Sequence, residues 1–313
     1  MNVVDLFCGS GGFTKGFENA GHNVLFGVDY EKPALKTYRH NTEAEGIEED
    51  LRDIEPDEFL AKHKYEKNDI DVVIGGSPCQ GFSSASNNKS KEKNTLVDRY
   101  ISYVKHFEPK ISVLENVPQI KTEQHPENDH TYAEHLENEL QEHGYETKVK
   151  VLEVKNYNVP QKRNRAILIS SKDPKFLSYP KGNGLTTTPE EELRKIPDDA
   201  DSHNEANHSE RVVETLKNLD RGEGAYDFNN STIRIYPSEP VPVPTGRDPT
   251  SGLVHYDEPR CLTNREYAVL QSYPVEYEFK GTKTEIYRQI VNSIPVNLSE
   301  AIANELIHVQ KNK

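Results

Sequence analysis

Cysteine is scarce in this 313-residue chain: Cys8, Cys79 and Cys261 are the whole complement, and no two share a C-x-x-C spacing. Neither a disulfide framework nor a zinc site is therefore supported, while a free thiol suits a reducing compartment. Long apolar runs are missing as well. The stretch Val3-Val4-Asp5-Leu6-Phe7 is broken by Asp5 and ends at glycines, so neither a signal peptide nor a membrane span is expected, and the chain is expected to be cytoplasmic. There is no excess of positive charge. With 38 Lys and Arg against 52 Asp and Glu, the formal charge is −14, which argues against nucleic-acid binding as a property of the whole surface. Internal repeats are absent too.

Two local basic clusters stand against that balance. Lys89, Lys91, Lys93 and Arg99 follow one candidate strand end, and Lys162, Arg163 and Arg165 form the second. Taken alone, each is as readily a solvated face as a phosphate contact. The length and the 34% apolar content allow one large core and a smaller second domain.

Short β-branched runs alternate with amphipathic stretches in the manner of a doubly wound α/β sheet. Strands are expected at 2–7, 22–28, 70–75, 111–114, 147–154 and 166–170, and helices at 13–19, 32–40, 96–107 and 132–143. From about Lys172 to Pro259 the pattern gives way to Pro, Gly, Asn and charge, with one helical stretch near Val212 to Leu219. An amphipathic helix from Leu298 to Val309 is expected to pack back on the first domain.

Three strand ends carry the candidate chemistry. Ile70 to Gly75 reads as a buried parallel strand, and the following Gly76-Ser77-Pro78-Cys79-Gln80 places a lone thiol where such strands present their ligands, as a nucleophile would need. The first strand ends in Asp5-Leu6-Phe7-Cys8-Gly9-Ser10-Gly11-Gly12, and the second closes on Asp29. Glycines at a strand-to-helix turn let a cofactor approach the backbone, and an acid at the next strand end suits a ribose. The glycines do not spell GxGxxG, so the turn indicates a nucleoside cofactor without naming it; a purely structural turn and a nicotinamide site stay open. Val113-Leu114-Glu115-Asn116 ends in a carboxylate. Beside the Cys79 strand, Glu115 would handle a proton on a ring nitrogen while the thiolate attacks a neighbouring carbon, though a strand-end Glu is often simply solvated.

In order along the chain, these segments resemble the DNA (cytosine-5)-methyltransferases. The resemblance runs through Asp5 to Gly12, Pro78-Cys79-Gln80 with Phe82-Ser83, Glu115-Asn116-Val117 and Gln161-Lys162-Arg163-Asn164-Arg165. It continues through Arg260-Cys261-Leu262-Thr263-Asn264-Arg265-Glu266, Leu270-Gln271-Ser272-Tyr273-Pro274 and Gln289-Ile290-Val291-Asn292-Ser293-Ile294-Pro295. It implies a Rossmann-like S-adenosylmethionine domain over 1–172 plus 284–313 and a target-recognition domain over 173–283. Phe7, Gly9 and Gly11 would line the cofactor turn, Asp29 would hold the ribose and Asp50 the adenine amino group. Leu96, Asn292 and Ser293 would complete the pocket. Cys79 would add to C6 of a flipped cytosine, Glu115 would hold N3 and the exocyclic amine, Arg165 would hold O2, and Arg163 would support the nucleophile, with no metal required.

The implied partners are double-stranded DNA and a restriction endonuclease acting on the same site; no membrane is implied, and the protein is expected to be a monomer. The lysines of 81–95 would close on phosphates. Arg221, Arg234, Tyr236 and Arg247 are candidates to read bases. Thr263-Asn264-Arg265-Glu266 reads instead as a capping box that organises structure. The chain departs from the family pattern at Val291, Val243-Pro244 and Lys93. Alternatives are a tRNA cytosine methyltransferase, an inactive DNA-binding relative and an NAD-dependent oxidoreductase, the last leaving Pro78-Cys79-Gln80 without a role.

Overall fold

The alternating pattern forms a seven-stranded sheet in a computed structural model that describes residues 1–76, 95–184, 187–204, 208–224, 232–244 and 252–311. In chain order the first elements are β1 (Asn2–Leu6), α1 (Gly12–Asn19), β2 (Asn23–Asp29), α2 (Lys32–Asn41), β3 (Glu45–Glu48) and α3 (Pro56–His63). Then follow β4 (Val72–Gly76), α4 (Thr95–Phe107), β5 (Ile111–Asn116), α5 (Tyr132–Gln141), β6 (Glu146–Glu153) and β7 (Asn164–Ser171). The sheet order is β3-β2-β1-β4-β5-β7-β6. Adjacent pairs from β3 through β5 run parallel, and β7 is antiparallel to β5. The order reverses between β1 and β4, so the crevice outside their carboxyl ends is where such a sheet receives ligands.

The expected strands and helices of this region are all present, with ends shifted by at most two residues. β3 and α3 come in addition, because Glu45-Gly46-Ile47-Glu48 offers one apolar side chain and α3 is short. On one sheet face Phe59, Tyr103, Phe107, Leu136 and Leu140 of α3, α4 and α5 pack against Val4, Phe26, Val73 and Leu114. Buried on both sides, the central strands read as near-continuous apolar runs. Among the described residues, no helix is long and apolar enough to cross a membrane.

The chain divides into two compact units. The first comprises Met1–Leu152, Asn164–Lys181 and Leu298–Lys313; the second comprises Glu153–Arg163 and Gly182–Asn297. These bounds differ from the expected 172/173 and 283/284. The second unit holds α6 (Pro189–Leu193), α7 (Glu210–Lys217), α8 (Asn264–Leu270) and α9 (Lys283–Asn292), while α10 (Val296–Lys311) leads the chain back into the first. Tyr267 of α8 meets Tyr287 of α9 edge to face with ring centroids 5.0 Å apart, which keeps α9 with the second unit. The capping box forms: Thr263 Oγ1 accepts from Glu266 N at 3.2 Å and Glu266 Oε2 accepts from Thr263 N at 2.7 Å. Arg260 grips both oxygens of the same carboxylate, at 2.8 and 2.9 Å.

In the first unit, α10 lies against α1 at Gly16. A Cβ built there would stand 2.4 Å from Ser299 Cβ and 2.5 Å from Glu300 N, so only glycine permits this approach. Ser299 Oγ then donates to Phe13 O at 2.6 Å.

Candidate active site

The turn after β1 is shaped by left-handed backbone. Phe7, Gly9 and Gly11 have φ of 62°, 53° and 91°, and Gly11 caps α1. For glycine this conformation is unstrained, whereas at Phe7 it is uncommon and is stabilised by its surroundings. Asp29, at the end of β2, secures the turn: its Oδ2 accepts from Gly9 N at 2.8 Å and its Oδ1 from Glu31 N at 2.9 Å. Burial pushes its carboxyl up to about 6, against these two amide donors. Phe7, Gly9, Gly11 and Asp29 are thus brought together, with Asp29 organising the turn.

Asp50 lies beyond β3, whose neighbour Glu49 N donates to Asp29 O at 3.1 Å. Its carboxylate is gripped by Arg52, with Nε 2.9 Å from Oδ1 and Nη2 2.5 Å from Oδ2, and these bonds hold its pKa below the usual carboxylate range. The Arg52 guanidinium stands 5.5 Å from the centre of the Tyr30 ring, which is 48% exposed. Tyr30 is absent from the sequence reasoning. The signal was available, since it directly follows Asp29 and offers a flat face beside a ribose-type acid.

Leu96 opens the first turn of α4 and is buried. Three residues on, Arg99 is spent inside the first unit: Nε donates to Leu51 O at 2.7 Å, Nη1 to Glu55 Oε1 at 3.0 Å, and Nη2 to Ile54 O. This corrects its assignment to a basic face, since Arg99 fixes the turn after Asp50. Cys79 and the lysines Lys89, Lys91 and Lys93 lie outside the described residues.

Glu115 is the clearest polar group buried in the sheet. It is 6% exposed, opposite Gly76 in the β4/β5 register and opposite Ile167 in the β5/β7 register. A Cβ at Gly76 would lie 3.5 Å from Glu115 Oε2. Arg165 Nε stands 2.5 Å from Glu115 Oε1, and Arg165 Nη1 donates to Asn164 O at 2.8 Å. Burial pushes the Glu115 carboxyl up, with the Arg165 charge pulling against it. A carboxyl in this setting can hold a proton and yet be compensated when it is lost.

Arg163 belongs to the second unit. Its Nη1 donates to Val291 O at 3.0 Å, and its buried Nε has no hydrogen-bond partner among the described residues. Asn292 and Ser293 also lie there, at the end of α9. Asn292 is exposed, while Ser293 Oγ accepts from Tyr273 OH at 2.7 Å and Ser293 O from Gln271 Nε2 at 2.5 Å. Val291 packs on the core of the second unit.

Of the base-reading candidates, Arg234 is corrected. It is buried, and its guanidinium donates to Leu219 O and His255 O at 2.8 Å each, to Glu258 O at 3.2 Å and to Leu216 O. Every arm is occupied by backbone, so it holds a loop core and reads no base. Arg221 pairs with Asp257 at 2.7 Å and Tyr236 is exposed, while Arg247 is outside the described residues.

The donor set fits a nucleoside cofactor. A glycine turn, an amide-held carboxylate at the next strand end, an exposed aromatic ring and a second acid all lie along β1, β2 and β3.

A profile of the C-5 cytosine-specific DNA methylases matches residues 1–308. A Methanocaldococcus jannaschii protein whose name, M.MJ0563P, is that of a type II methyltransferase is 34% identical over 325 residues, spanning 98% of this chain and 99% of the relative. The type II methyltransferase M1.HphI of Haemophilus parahaemolyticus is 31% identical, over 100% of this chain and 88% of its own. Among solved structures, the S. pombe Dnmt2 methyltransferase superposes with a TM-score of 0.69 at 16% identity, covering 99% of both chains, a likeness of fold.

Proposed function

The chain belongs to the C-5 cytosine-specific DNA methylase family, and from that premise we propose that it methylates C5 of a cytosine flipped out of a specific short sequence in double-stranded DNA. The observation that carries this reading is Glu115. It is a buried carboxyl with an arginine at 2.5 Å, paired in register with Gly76, three residues before Cys79.

S-adenosylmethionine, when bound, supplies an electrophilic sulfonium methyl group for C5 to take up, its sulfur leaving as a neutral thioether. Phe7, Gly9 and Gly11 would line its turn, Asp29 its ribose and Asp50 its adenine, with Tyr30 offering a stacking face and Leu96, Asn292 and Ser293 completing the pocket. Cys79 would form a bond to C6, moving the C5–C6 electron pair to C5. Glu115 would hold a proton at N3 and accept from the exocyclic amine. Arg165 would hold O2 and restrain the Glu115 carboxylate, and Arg163 would support the nucleophile. Loss of the C5 proton and cleavage of the Cys79–C6 bond would restore the ring as 5-methylcytosine.

The type II designation of its relatives supports a modification role beside a restriction endonuclease of the same specificity. Base-resolution mapping of 5-methylcytosine in a methylation-free host tests the reading. One recurring short motif, lost in Cys79→Ala, is the expected result. No DNA methylation from soluble protein, with methyl transfer to tRNA alone, would overturn it.

A further inference from the structure

Asp98 of α4, His125 of the segment between β5 and α5, and His135 of α5 converge within the first unit. His135 Nε2 lies 2.9 Å and His125 Nε2 3.3 Å from Asp98 Oδ1, and the three potential ligand atoms all lie within 4.8 Å of one another. The two imidazoles stack with centroids 4.0 Å apart and planes 25° from parallel, so both present Nε2 to the same carboxylate. We propose that Asp98, His125 and His135 form a zinc-binding site, with Asn128 as the group that orients both histidines.

The chemistry is that of a two-histidine, one-carboxylate set. Tetrahedral zinc with bonds of about 2.1 Å needs ligand atoms roughly 3.4 Å apart, close to the separations on Asp98. The ligands are held by packing before any ion arrives. The His125 side chain is 2% exposed, and its ring meets Tyr132 edge to face at 4.9 Å. A further coordination position faces an open groove of about 830 Å³, which Glu127 and Glu139 also line. Lys105 lines the groove too and is neutralised by Glu139 at 2.9 Å.

Asn128 sets the proton arrangement. Its Nδ2 lies 3.2 Å from His125 Nδ1 and 3.1 Å from His135 Nδ1, while its Oδ1 accepts from His130 N at 3.1 Å. His125 Nδ1 also accepts from Glu127 N at 3.3 Å. With N–H donors facing both Nδ1 atoms, both rings carry their proton on Nε2 and donate it to Asp98. Zinc takes the place of those two protons. Each neutral ring then carries its proton on Nδ1, and the Asn128 amide turns so that Oδ1 receives both, giving up the His130 bond while the long Glu127 contact slackens. Ligating histidines commonly donate their second nitrogen to such an acceptor. Metal affinity is therefore set against the turning of one amide, and a residue that is acceptor-only at position 128 should raise it.

The bound ion would tie the start of α4, which carries Leu96 and Arg99, to α5. Stability should report it whether or not the methyltransfer reading holds. The test is calorimetric titration of full-length, chelator-treated protein with Zn²⁺, together with thermal unfolding and the visible spectrum of the Co²⁺ form. One equivalent should bind and raise Tm. Asp98→Asn and His135→Ala should each weaken binding at least about tenfold, and Asn128→Asp should strengthen it. Co²⁺ should give tetrahedral ligand-field bands without thiolate charge transfer. Equal affinity in His135→Ala and wild type, or a thiolate-to-cobalt band placing the ion on cysteine, would overturn the proposal. So would no binding by either wild type or Asn128→Asp. The Asn128→Asp gain keeps the test decisive should a ligand variant fail to fold.

Discussion

Arg165 reaches Glu115 from the strand antiparallel to it, Nε to Oε1 at 2.5 Å, with both side chains about nine-tenths buried. The pair combines two roles that pull apart: a carboxyl raised by burial so that it can hold a proton, and a cation that makes its ionised form tolerable. Arg165→Ala should therefore lose about 3 kcal/mol of stability, read from urea unfolding, in addition to activity. Glu115→Gln keeps the shape without the acid. It should lower kcat by on the order of 10² to 10⁴ while leaving the urea midpoint near wild type, measured by labelled methyl transfer. An unfolding loss in Glu115→Gln equal to that in Arg165→Ala would remove the acid role.

Asp5 is wholly buried in β1 with no cation beside it among the described residues. Its Oδ2 accepts from Thr14 Oγ1 at 2.7 Å, Thr14 Oγ1 lies 3.0 Å from Tyr38 OH, and Asp5 Oδ1 has no partner among the described residues. Burial raises its carboxyl from 3.8 to about 7. Because the folded protein binds this proton more tightly than the unfolded chain, the stabilisation is complete below pH 4 and is lost as pH rises to 7, on the order of 4 kcal/mol in all. Asp5→Asn should remove that slope. Urea midpoints of wild type and variant at pH 5 and 8 should diverge in favour of the variant at pH 8; parallel midpoints would show the group is not raised.

Arg234 was a candidate reader of bases, and its five backbone acceptors make the opposite prediction. Arg234→Ala should cost about 2 kcal/mol or more of stability, by leaving buried carbonyls unmatched, while the methylated sequence stays the same. A changed recognition motif from folded variant would restore the reading role.

Gly16→Ala should destabilise by about 1–3 kcal/mol, because the added carbon meets Ser299 and the α10 backbone at 2.4–2.5 Å. Chemical denaturation measures it. A neutral result would mean that α10 moves aside without cost.

These cases mark what local sequence conveys. Asp29 and Glu115 were legible because each ends a short β-branched run, and a parallel strand delivers its last residue to a known edge. The capping box was legible because Thr263 and Glu266 carry their partners within three residues. Arg99 and Arg234 were misread because a guanidinium serves whichever carbonyls the tertiary fold brings to it, here 45 to 48 residues away for Arg99 and 15 to 24 for Arg234. The short β3 was missed because its edge position needs only Ile47 inside. The pairing of Arg165 with Glu115 depended on β7 running antiparallel, which no spacing in the sequence reveals.

The seam between α1 and α10 also bears on how the chain is made. Phe13 O waits for Ser299 Oγ, 286 residues later, and the whole second unit is translated in between. A ribosome adding about 5–20 residues per second leaves the face of α1 around Gly16 uncovered for some 15 to 60 seconds. During that interval the nascent sheet presents an unfinished apolar flank, a natural hold for a chaperone, and the glycine turn on α1 is not yet clamped from behind. Chains that stop short of α10 should therefore lack this clamp on α1.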